Sequence, residues 1–262
     1  MDFGLKGKGA VVTGASRGLG AAIADVLAGE GMDVVLIARD RKALDEGAAA
    51  LRARHGVNAT VHEADLTSTA AVEGAARAAA AALASVDVLV NCAGATKRGD
   101  FFELTDADWD DGFALKFFGA MRLTRAAWTS LMASHGSIVN IIGVGGRTGS
   151  AEFAIGGSVN AAFRLFTKAM ADRGVKDGVR VNAINPGFIK TERLQTRLKT
   201  FMDETSLPAD QAEAQLAKAT GVARFGEPAE IAAAVAFLAS SSACGFCHGA
   251  LLDIDGGQTR TL

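Results

Sequence analysis

Short apolar runs alternate with amphipathic stretches along the whole chain, and this alternation limits the possible folds more than any other feature. Runs such as GAVVTG at 9–14 and DVVLIA at 33–38 each precede a stretch with the spacing of an amphipathic helix. Apolar strands that alternate with helices form a parallel sheet covered on both faces. With right-handed crossovers the sheet is doubly wound, so we expect about seven strands with helices on both faces. The other runs are NATVHEAD, VDVLVN, GSIVNIIG, VRVNAIN and GALLDID.

No linker and no internal repeat divides the 262 residues, of which 49% are hydrophobic, so one large core is possible. We therefore expect a single α/β domain over residues 1–262. Only the segment 187–224 interrupts the alternation, with polar and partly helical sequence. Such a segment is typical either of a lid over a substrate site or of an ordinary surface insertion, and the sequence supports the two equally.

Composition excludes several classes of function. A formal net charge of −2 gives no reason to expect binding to nucleic acid or to a membrane surface. The first residues, MDFGLKGKGAVVTGAS, lack the pattern of a signal peptide, and no apolar run is long enough to span a bilayer. We therefore expect a cytoplasmic protein that acts on a small molecule.

Neither the histidines nor the cysteines predict a metal site. The four histidines fall in or beside strands and loops, without the spacing of metal ligands. Cys92 follows a predicted strand and is interpreted as a buried thiol. The sequence CGFCH at 244–248 has the haem-attachment spacing, but that attachment requires export. We interpret it as a loop before the last strand, with a redox cysteine pair as the alternative.

A glycine-rich loop, TGASRGLG at 13–20, follows the first predicted strand and opens the first helix. Gly14, Gly18 and Gly20 would let the backbone turn sharply and approach a pyrophosphate. The N–H groups at the start of the helix, together with the helix dipole, favour an anion there. The loop in this strand–turn–helix context predicts a dinucleotide site.

The spacing G-x-x-x-G-x-G in this loop resembles that of the short-chain dehydrogenase/reductase family, and the resemblance extends almost end to end. The matching stretches are ADLT at 64–67, NCAG at 91–94, NPGFIKTE at 185–192, RFGEPAEIAAAVAFLAS at 224–240 and LDIDGG at 252–257. The nearest type is the 3-oxoacyl-acyl-carrier-protein reductase. The resemblance implies a single NAD(P)-binding Rossmann domain. It also implies a homo-oligomer, a dimer or tetramer, in which the long helices at 106–134 and 151–173 pack against their symmetry mates.

The resemblance also implies which residues hold the cofactor. Asp65 matches the family's adenine contact, and the stretch from Pro186 to Thr191 matches its nicotinamide and phosphate segment. The implied cofactor-binding residues are Gly14, Ser16, Arg17, Gly18, Leu19, Gly20, Arg39, Asp65, Leu66, Asn91, Ala93, Gly94, Pro186, Gly187, Ile189 and Thr191.

The end of the second strand indicates which dinucleotide binds. An acid there would accept the ribose hydroxyls of NAD, whereas arginines would pair with the 2′-phosphate of NADP. The family's selecting acid falls on Ala38, and Arg39 follows it, with Arg17 on the same side. This favours NADP(H) over NAD(H). Asp40 is the counter-indication, and we interpret it as the N-cap of the next helix.

The catalytic side chains of the family are missing. Family members use an Asn, a Ser, a Tyr and a Lys, because a proton must move at oxygen when a hydride moves to carbon. In this chain the Asn position falls on Lys116 and the Ser position on Gly143. The Tyr position falls on Gly156 and the Lys position on Asn160, and the chain contains no tyrosine at all.

Two of these changes are complementary, since the Asn becomes Lys116 and the Lys becomes Asn160. A positive charge could thus remain in the same pocket, so we expect Lys116 and Asn160 to be the catalytic candidates. No residue three or four positions from Lys116 can pair with its ammonium, which must find a distant partner or reach water. The alternative is a snorkelling surface lysine. Gly156 is expected to leave a gap beside the nicotinamide, for water or part of a substrate.

Other polar residues are candidates because the predicted topology brings them near the same edge of the sheet. Their basic excess would suit a carboxylate, a phosphate or an acyl-carrier substrate. Alternatively they are solvated loop charges. They are Lys97, Arg98, Arg147, Thr148, Glu152, Ser158, Lys190 and Arg193.

Three functions fit these features. The first is an NADP(H)-dependent oxidoreductase that acts on a carbonyl or an activated alkene, with water, Lys116 or a substrate group in place of the Tyr. The second is a non-redox lyase or hydrolase that uses Lys116 as electrophile or base. The third is a cofactor-binding protein without catalysis, a sensor or an oligomer partner. Fold alone does not decide among them.

Overall fold

In the computed structural model of the protein, which describes residues 2–95 and 97–260, seven strands form one parallel sheet. The strands are β1 (Gly9–Thr13), β2 (Asp33–Ala38), β3 (Ala59–Glu63), β4 (Val88–Asn91), β5 (Ser137–Ile141), β6 (Arg180–Pro186) and β7 (Leu251–Ile254). Their spatial order is β3-β2-β1-β4-β5-β6-β7. The predicted doubly wound α/β sheet is confirmed.

The helices follow the predicted alternation, and local signals set several of their starts. The side chains of Asp40 and Ser68 accept from backbone N–H groups three residues on, and Thr105 forms a capping box with Asp108. The helices are α1 (Gly18–Gly29), α2 (Arg41–His55), α3 (Thr69–Ala82), α4 (Asp106–Phe113), α5 (Ala120–Ser134), α6 (Ala154–Asp177), α7 (Glu192–Thr205), α8 (Ala209–Ala219), α9 (Pro228–Ala239) and α10 (Ser241–Cys244).

Each of the two long helices predicted at 106–134 and 151–173 contains an irregular turn. Between α4 and α5 the helix continues without a break as a π-helical segment, Ala114–Gly119. A 3₁₀ turn, Ala151–Phe153, leads into α6. Both irregular turns lie next to positions at which the family's catalytic residues were expected.

The sheet separates two hydrophobic layers. On one face, α1, α2 and α9 pack against the strands through residues such as Ile23, Leu44 and Val235. On the other face, α3 and α5 contribute residues such as Val72 and Leu131. Every residue of β1, β4 and β5 is buried, as expected for strands covered on both sides.

The order of the strands also determines where a ligand can bind. The chain runs outward from β1 through β2 to β3 and then returns to the other side of β1 as β4. The connections therefore diverge at the carboxyl ends of β1 and β4, and this divergence opens a crevice there. The glycine loop and the NCAG stretch both border this crevice.

The segment 187–224 contains α7 and α8, and it is partly helical as predicted. Together with Phe225, which directly follows it, the segment forms a small apolar cluster in which Leu194, Leu216 and Val222 are also buried. Its role as a lid stays a prediction.

Near the carboxyl terminus, the CGFCH stretch starts at the last residue of α10 and continues as the loop before β7, the place that the loop interpretation gave it. Cys244 and Cys247 also form a disulfide, with Cα atoms 5.4 Å apart, so the two cysteines are paired as in the alternative interpretation. Over the described residues, no helix combines the length and apolar character that crossing a membrane requires.

Candidate active site

The glycine loop has the backbone geometry that its glycines predicted. Gly14 and Gly18 have positive φ angles of 67° and 59°. A Cβ on Gly14 would lie 3.0 Å from Cα of Ala93, and a Cβ on Gly20 would lie 2.2 Å from the carbonyl oxygen of Gly14. The glycines therefore allow the loop to fold tightly on itself and against the chain that follows β4.

A hydroxyl at the end of β1 fixes the NCAG stretch. Oγ1 of Thr13 accepts hydrogen bonds from the backbone N–H groups of Cys92 and Ala93, at 2.9 and 3.0 Å. Asn91 is buried and donates from Nδ2 to Oδ1 of Asn140 at 2.9 Å. These bonds hold the backbone of the stretch rigidly beside the glycine loop.

The adenosine end of the predicted site is formed by the residues after β2 and β3. Asp65 accepts from the backbone N–H and the hydroxyl of Thr67, and these bonds lower the pKa of its carboxyl, with a smaller contribution from the charge of Arg39. Asp40 accepts from the N–H of Ala43 at 3.0 Å, which confirms it as the N-cap of α2. Its carboxylate is therefore already used by the helix.

The stretch after β6 crosses the glycine loop. A Cβ on Gly187 would lie 2.8 Å from Asp255, and the place of a Cβ on Gly18 lies 3.7 Å from Cγ2 of Thr191. Arg17 in the loop forms an ion pair of 3.5 Å with Glu192 at the start of α7. The predicted phosphate segment thus lies directly against the predicted phosphate loop.

These residues fit a bound dinucleotide. No side chain caps the N-terminus of α1, so its first N–H groups are available for a pyrophosphate. Gly14 brings the loop against Ala93, and Gly18 leaves an open surface below Thr191. Within the described residues, no group of three or more histidine, cysteine or acidic side chains could hold a metal ion.

Lys116 lies in the middle of the π-helical segment, an element that is frequent at functional sites. Its Nζ crosses to β5 and donates to the backbone carbonyl of Ile142. Burial lowers the pKa of this ammonium to about 8, and the positive charge of Arg193 also lowers it, whereas Cys92 opposes the shift. The side chain therefore does not snorkel to the surface, and its partner is distant in sequence, as expected.

Asn160 lies beside Gly143, the residue that follows Ile142 after the end of β5. Its Nδ2 is 3.3 Å from the place of a Cβ on Gly143, which has a φ of 130°. Asn160 is only 3% exposed, and its Oδ1 has no hydrogen-bond partner within the part of the chain that the structure describes. Lys116 and Asn160 thus flank the two-residue stretch from Ile142 to Gly143.

The expected gap at Gly156 does not exist. A Cβ on Gly156 would lie 2.1 Å from two ring carbons of Phe153, and a Cβ on Gly145 would lie 2.7 Å from the same ring. The ring fills the notch between the two glycines, so neither water nor substrate can occupy the space directly on Gly156. Sequence reasoning missed Phe153, although its spacing of three residues before Gly156 places both on one helical face.

The basic candidates divide into paired and unpaired groups. Lys97 pairs with Asp108 at 2.7 Å, Lys190 pairs with Glu213 at 2.9 Å, and Arg147 pairs with Asp253. Arg98 instead stacks over the ring of Phe153, with its Cζ 4.2 Å from the ring centroid. Arg193 donates from Nη2 to the carbonyl of Gly94 at 3.2 Å.

Three other candidates lie at the surface. Thr148, Glu152 and Ser158 are exposed. Glu152 and Arg98 line an open cavity of about 350 Å³ together with Gly99, Asp100 and Ala151.

Cys92 lies beside Lys116 without offering a nucleophile. Burial raises the pKa of its thiol to about 12, although the charges of Lys116 and Arg193 oppose this shift. The group is therefore a neutral thiol at physiological pH, although Cys92 is half-buried rather than buried as the sequence predicted.

Comparison with known proteins gives consistent matches over nearly the whole chain. A family model described as Enoyl-(Acyl carrier protein) reductase matches residues 14–259. The acetoacetyl-CoA reductase of Shinella zoogloeoides is 37% identical over 251 residues, which cover 95% of this chain and 97% of that protein.

Two solved structures share the fold. L-sorbose reductase from Gluconobacter frateurii, in complex with NADPH and L-sorbose, matches with a TM-score of 0.95 and 31% identity, and each chain is covered completely. An NADPH-bound short chain oxidoreductase from Pseudomonas aeruginosa PAO1, described as containing an atypical catalytic center, matches with a TM-score of 0.89 and 30% identity. That match covers 97% of this chain and 98% of the other.

Proposed function

The chain belongs to the short-chain dehydrogenase/reductase family of oxidoreductases, and on that premise we propose that it is an NADP(H)-dependent reductase in which Lys116 replaces the missing tyrosine. The substrate is a small carbonyl compound or activated alkene. The observation that carries the proposal is the position of Lys116: its Nζ bonds to the carbonyl of Ile142, at the point where the family's Ser would follow.

The proton chemistry follows from the charge state of Lys116. When bound, the nicotinamide supplies the hydride that goes to the substrate carbon. The ammonium of Lys116 donates a proton to the substrate oxygen, and water then reprotonates the amine. With a pKa of about 8 the group is mostly charged at neutral pH and yet acidic enough to transfer a proton. The buried Oδ1 of Asn160 has no partner among the described residues, and a ribose hydroxyl that reached it would satisfy it.

The preference for NADP(H) over NAD(H) rests on charges at the end of β2. Ala38 offers no carboxylate to the ribose hydroxyls, and the carboxylate of Asp40 caps α2. Arg39 would pair with a 2′-phosphate, and Arg17 would do so by exchanging its exposed ion pair with Glu192. The two structures described above contain NADPH, which is consistent with this preference.

NADPH oxidation across a panel of acidic ketones, enones and acyl thioesters tests the proposal. We expect turnover of at least one class. Tight NADPH binding with no turnover of any class would contradict the proposal and favour the noncatalytic sensor.

A non-redox function is favoured by the enclosed position of Lys116 against Ile142 and Gly94, because burial there lowers the pKa of its ammonium. A lysine with a pKa of about 8 has a minor neutral fraction at neutral pH, and this neutral amine can attack a carbonyl carbon to form a Schiff base. Borohydride trapping with a keto substrate, read by mass spectrometry, distinguishes this function from the reductase. A covalent adduct on Lys116 would support the non-redox enzyme, and its absence would exclude the Schiff-base route.

A homo-oligomer, a dimer or tetramer, is also part of the proposal. The helix from 106 to 134 exposes Phe118 and Met132, and α6 exposes Leu165 and Val175, which are 72% and 75% exposed. These apolar side chains would be covered if the helices pack against symmetry mates. Analytical ultracentrifugation of Leu165→Glu should show smaller assemblies. The control Phe102→Ser changes an exposed apolar residue that lies outside both helices, and it should leave the assembly unchanged.

A further inference from the structure

Three arginines lie at the mouth of the candidate active site, and the proton chemistry proposed above does not use them. Arg98 follows the NCAG stretch, and Arg193 and Arg197 lie one turn apart near the start of α7. We call them the arginine cluster. They come from two separate parts of the chain, so their meeting is a feature of the fold.

Ring contacts and a backbone bond hold the guanidinium groups of the cluster in place. Arg98 lies over Phe153, the residue that fills the notch at Gly156, and Arg197 lies over Phe188 with its Cζ 4.8 Å from the ring centroid. Arg193 donates a hydrogen bond to the carbonyl of Gly94. Stacked arginines lose little further freedom when they bind a ligand, and they keep their N–H groups free for it.

No member of the cluster forms an ion pair with any residue that the structure describes. The nearby acidic residues either contact other groups or form no ion pair with the cluster. Asp100 accepts from the N–H of Phe102 at 2.9 Å, Asp108 pairs with Lys97, and Glu192 pairs with Arg17. Glu152 is exposed and attracts Arg98 without forming an ion pair with it. Among the described residues, the neighbouring lysines Lys97 and Lys190 do have acidic partners.

The guanidinium groups of Arg193 and Arg197 lie near enough to Arg98 for their charges to act on it. Burial lowers the pKa of Arg98, and the positive charges of Arg197 and Arg193 lower it further, whereas Glu152 opposes them. Like charges brought together in this way are unfavourable until an anion joins them.

The cluster adjoins Lys116 through a single residue. The carbonyl of Gly94 accepts from Arg193, while the place of a Cβ on Gly94 lies 3.0 Å from Cδ of Lys116. A larger side chain at this position would collide with the lysine. An anionic group on the cluster and a reacting oxygen at Lys116 would therefore belong to a compact ligand.

We infer that the arginine cluster recognises the carboxylate of a small 2- or 3-oxo acid whose keto oxygen is directed to Lys116. This inference rests on the proposed reductase function and names its substrate class. Arg98 and Arg193 can each offer two parallel N–H groups to the carboxylate, and Arg197 adds charge from the second turn of α7. A phosphate-bearing acyl carrier is the competing anion, and the test distinguishes it.

Isothermal titration of the NADP⁺-loaded protein with oxo acids of three to six carbons, each compared with its methyl ester, tests the inference. The ester keeps the ketone and loses the charge. We expect at least one acid to bind roughly tenfold or more tightly than its ester, in line with a charge-assisted bidentate contact. Arg98→Gln and Arg193→Gln should each remove that difference while leaving ester binding unchanged. Arg77→Gln, at an exposed position on α3, is the matched control and should retain it.

The outcomes separate the inference from the function on which it rests. If no acid binds better than its ester, or if the arginine variants keep the preference, the inference is wrong even when the esters are reduced. If the binding of inorganic phosphate or of an acyl thioester of coenzyme A depends on the arginines and the binding of the acids does not, the cluster recognises a carrier substrate instead. If the acids bind through the arginines but are never reduced, the inference stands and the reductase function fails.

Discussion

The two sides of the crevice relate to the sequence in different ways. On the cofactor side, Gly14 and Gly20 meet backbone requirements that only glycine satisfies, because a Cβ at either would collide with the surrounding chain. On the substrate side, the resemblance places a catalytic side chain at Gly156, and the ring of Phe153 fills that space, while Lys116 reaches the carbonyl of Ile142. Glycine thus has a different role on each side. On the cofactor side it allows a tight loop, and on the substrate side it leaves room for the ring of Phe153.

The largest expected effect comes from changing Lys116 on the substrate side. We expect Lys116→Met to reduce kcat/KM roughly a hundred- to ten-thousand-fold, because a general acid contributes that much. NADPH affinity should change little. The matched control Lys42→Met removes a lysine that is 87% exposed on α2, and it should leave both quantities unchanged. An activity loss under tenfold for Lys116→Met, measured by steady-state NADPH oxidation, would mean that another group transfers the proton.

The same residue should also make stability depend on pH. The pKa of Lys116 is lowered from 10.5 to about 8, so the unfolded chain binds more protons than the folded chain between these values. The free energy of unfolding should therefore rise with pH over this window, by up to about 3 kcal/mol relative to Lys116→Met. Urea unfolding of both proteins at several pH values measures this difference, and parallel curves would contradict the lowered pKa.

On the cofactor side, Gly14→Ala should weaken NADPH binding roughly ten- to a hundredfold. The change forces a side chain into a positive φ and against Ala93, which distorts the phosphate loop. Gly7→Ala is the matched control, because Gly7 has a φ of 76° but open space around it. It should lower stability without changing the Kd for NADPH, measured by fluorescence titration. Equal Kd values for the two variants would remove the contrast between the two sides.

The smallest expected effect lies at the adenosine end. Arg39→Ala should weaken NADPH binding about tenfold and leave NADH binding unchanged, because it removes one contact to the 2′-phosphate. Competition titrations of the two cofactors measure the ratio. An unchanged ratio would assign the selection to another residue, and Arg17 would be tested next.

The sequence predicted the sheet and the cofactor loop because these depend on repeated local patterns: apolar runs, N-caps such as Asp40, and glycines at a fixed spacing. It did not predict the π-helical segment Ala114–Gly119, nor the close packing of Gly119, where a Cβ would lie 2.7 Å from the carbonyl oxygen of Leu66. Nor did it predict the position of the Phe153 ring. An aromatic side chain can fill space in several directions, and only the fold selects one.

The arginine cluster shows the same limit. The sequence indicated a basic mouth but could not separate Lys97 and Lys190, which have acidic partners, from Arg98 and Arg193, which have none among the described residues. It missed Arg197 entirely. That residue lies one turn beyond Arg193 on α7, and the spacing alone gave no reason to place it over Phe188.

The pH dependence of kcat/KM tests the central claim most directly, because in the free enzyme it reports the group that must carry the proton. If Lys116 is the acid, kcat/KM for reduction should fall as pH rises through about 8, since the protonated amine is lost there. The small residual activity of Lys116→Met should lack this transition. A profile that is flat from pH 6 to 10 in the unmodified protein, or a transition near 8 that persists in Lys116→Met, would contradict the claim that Lys116 replaces the tyrosine.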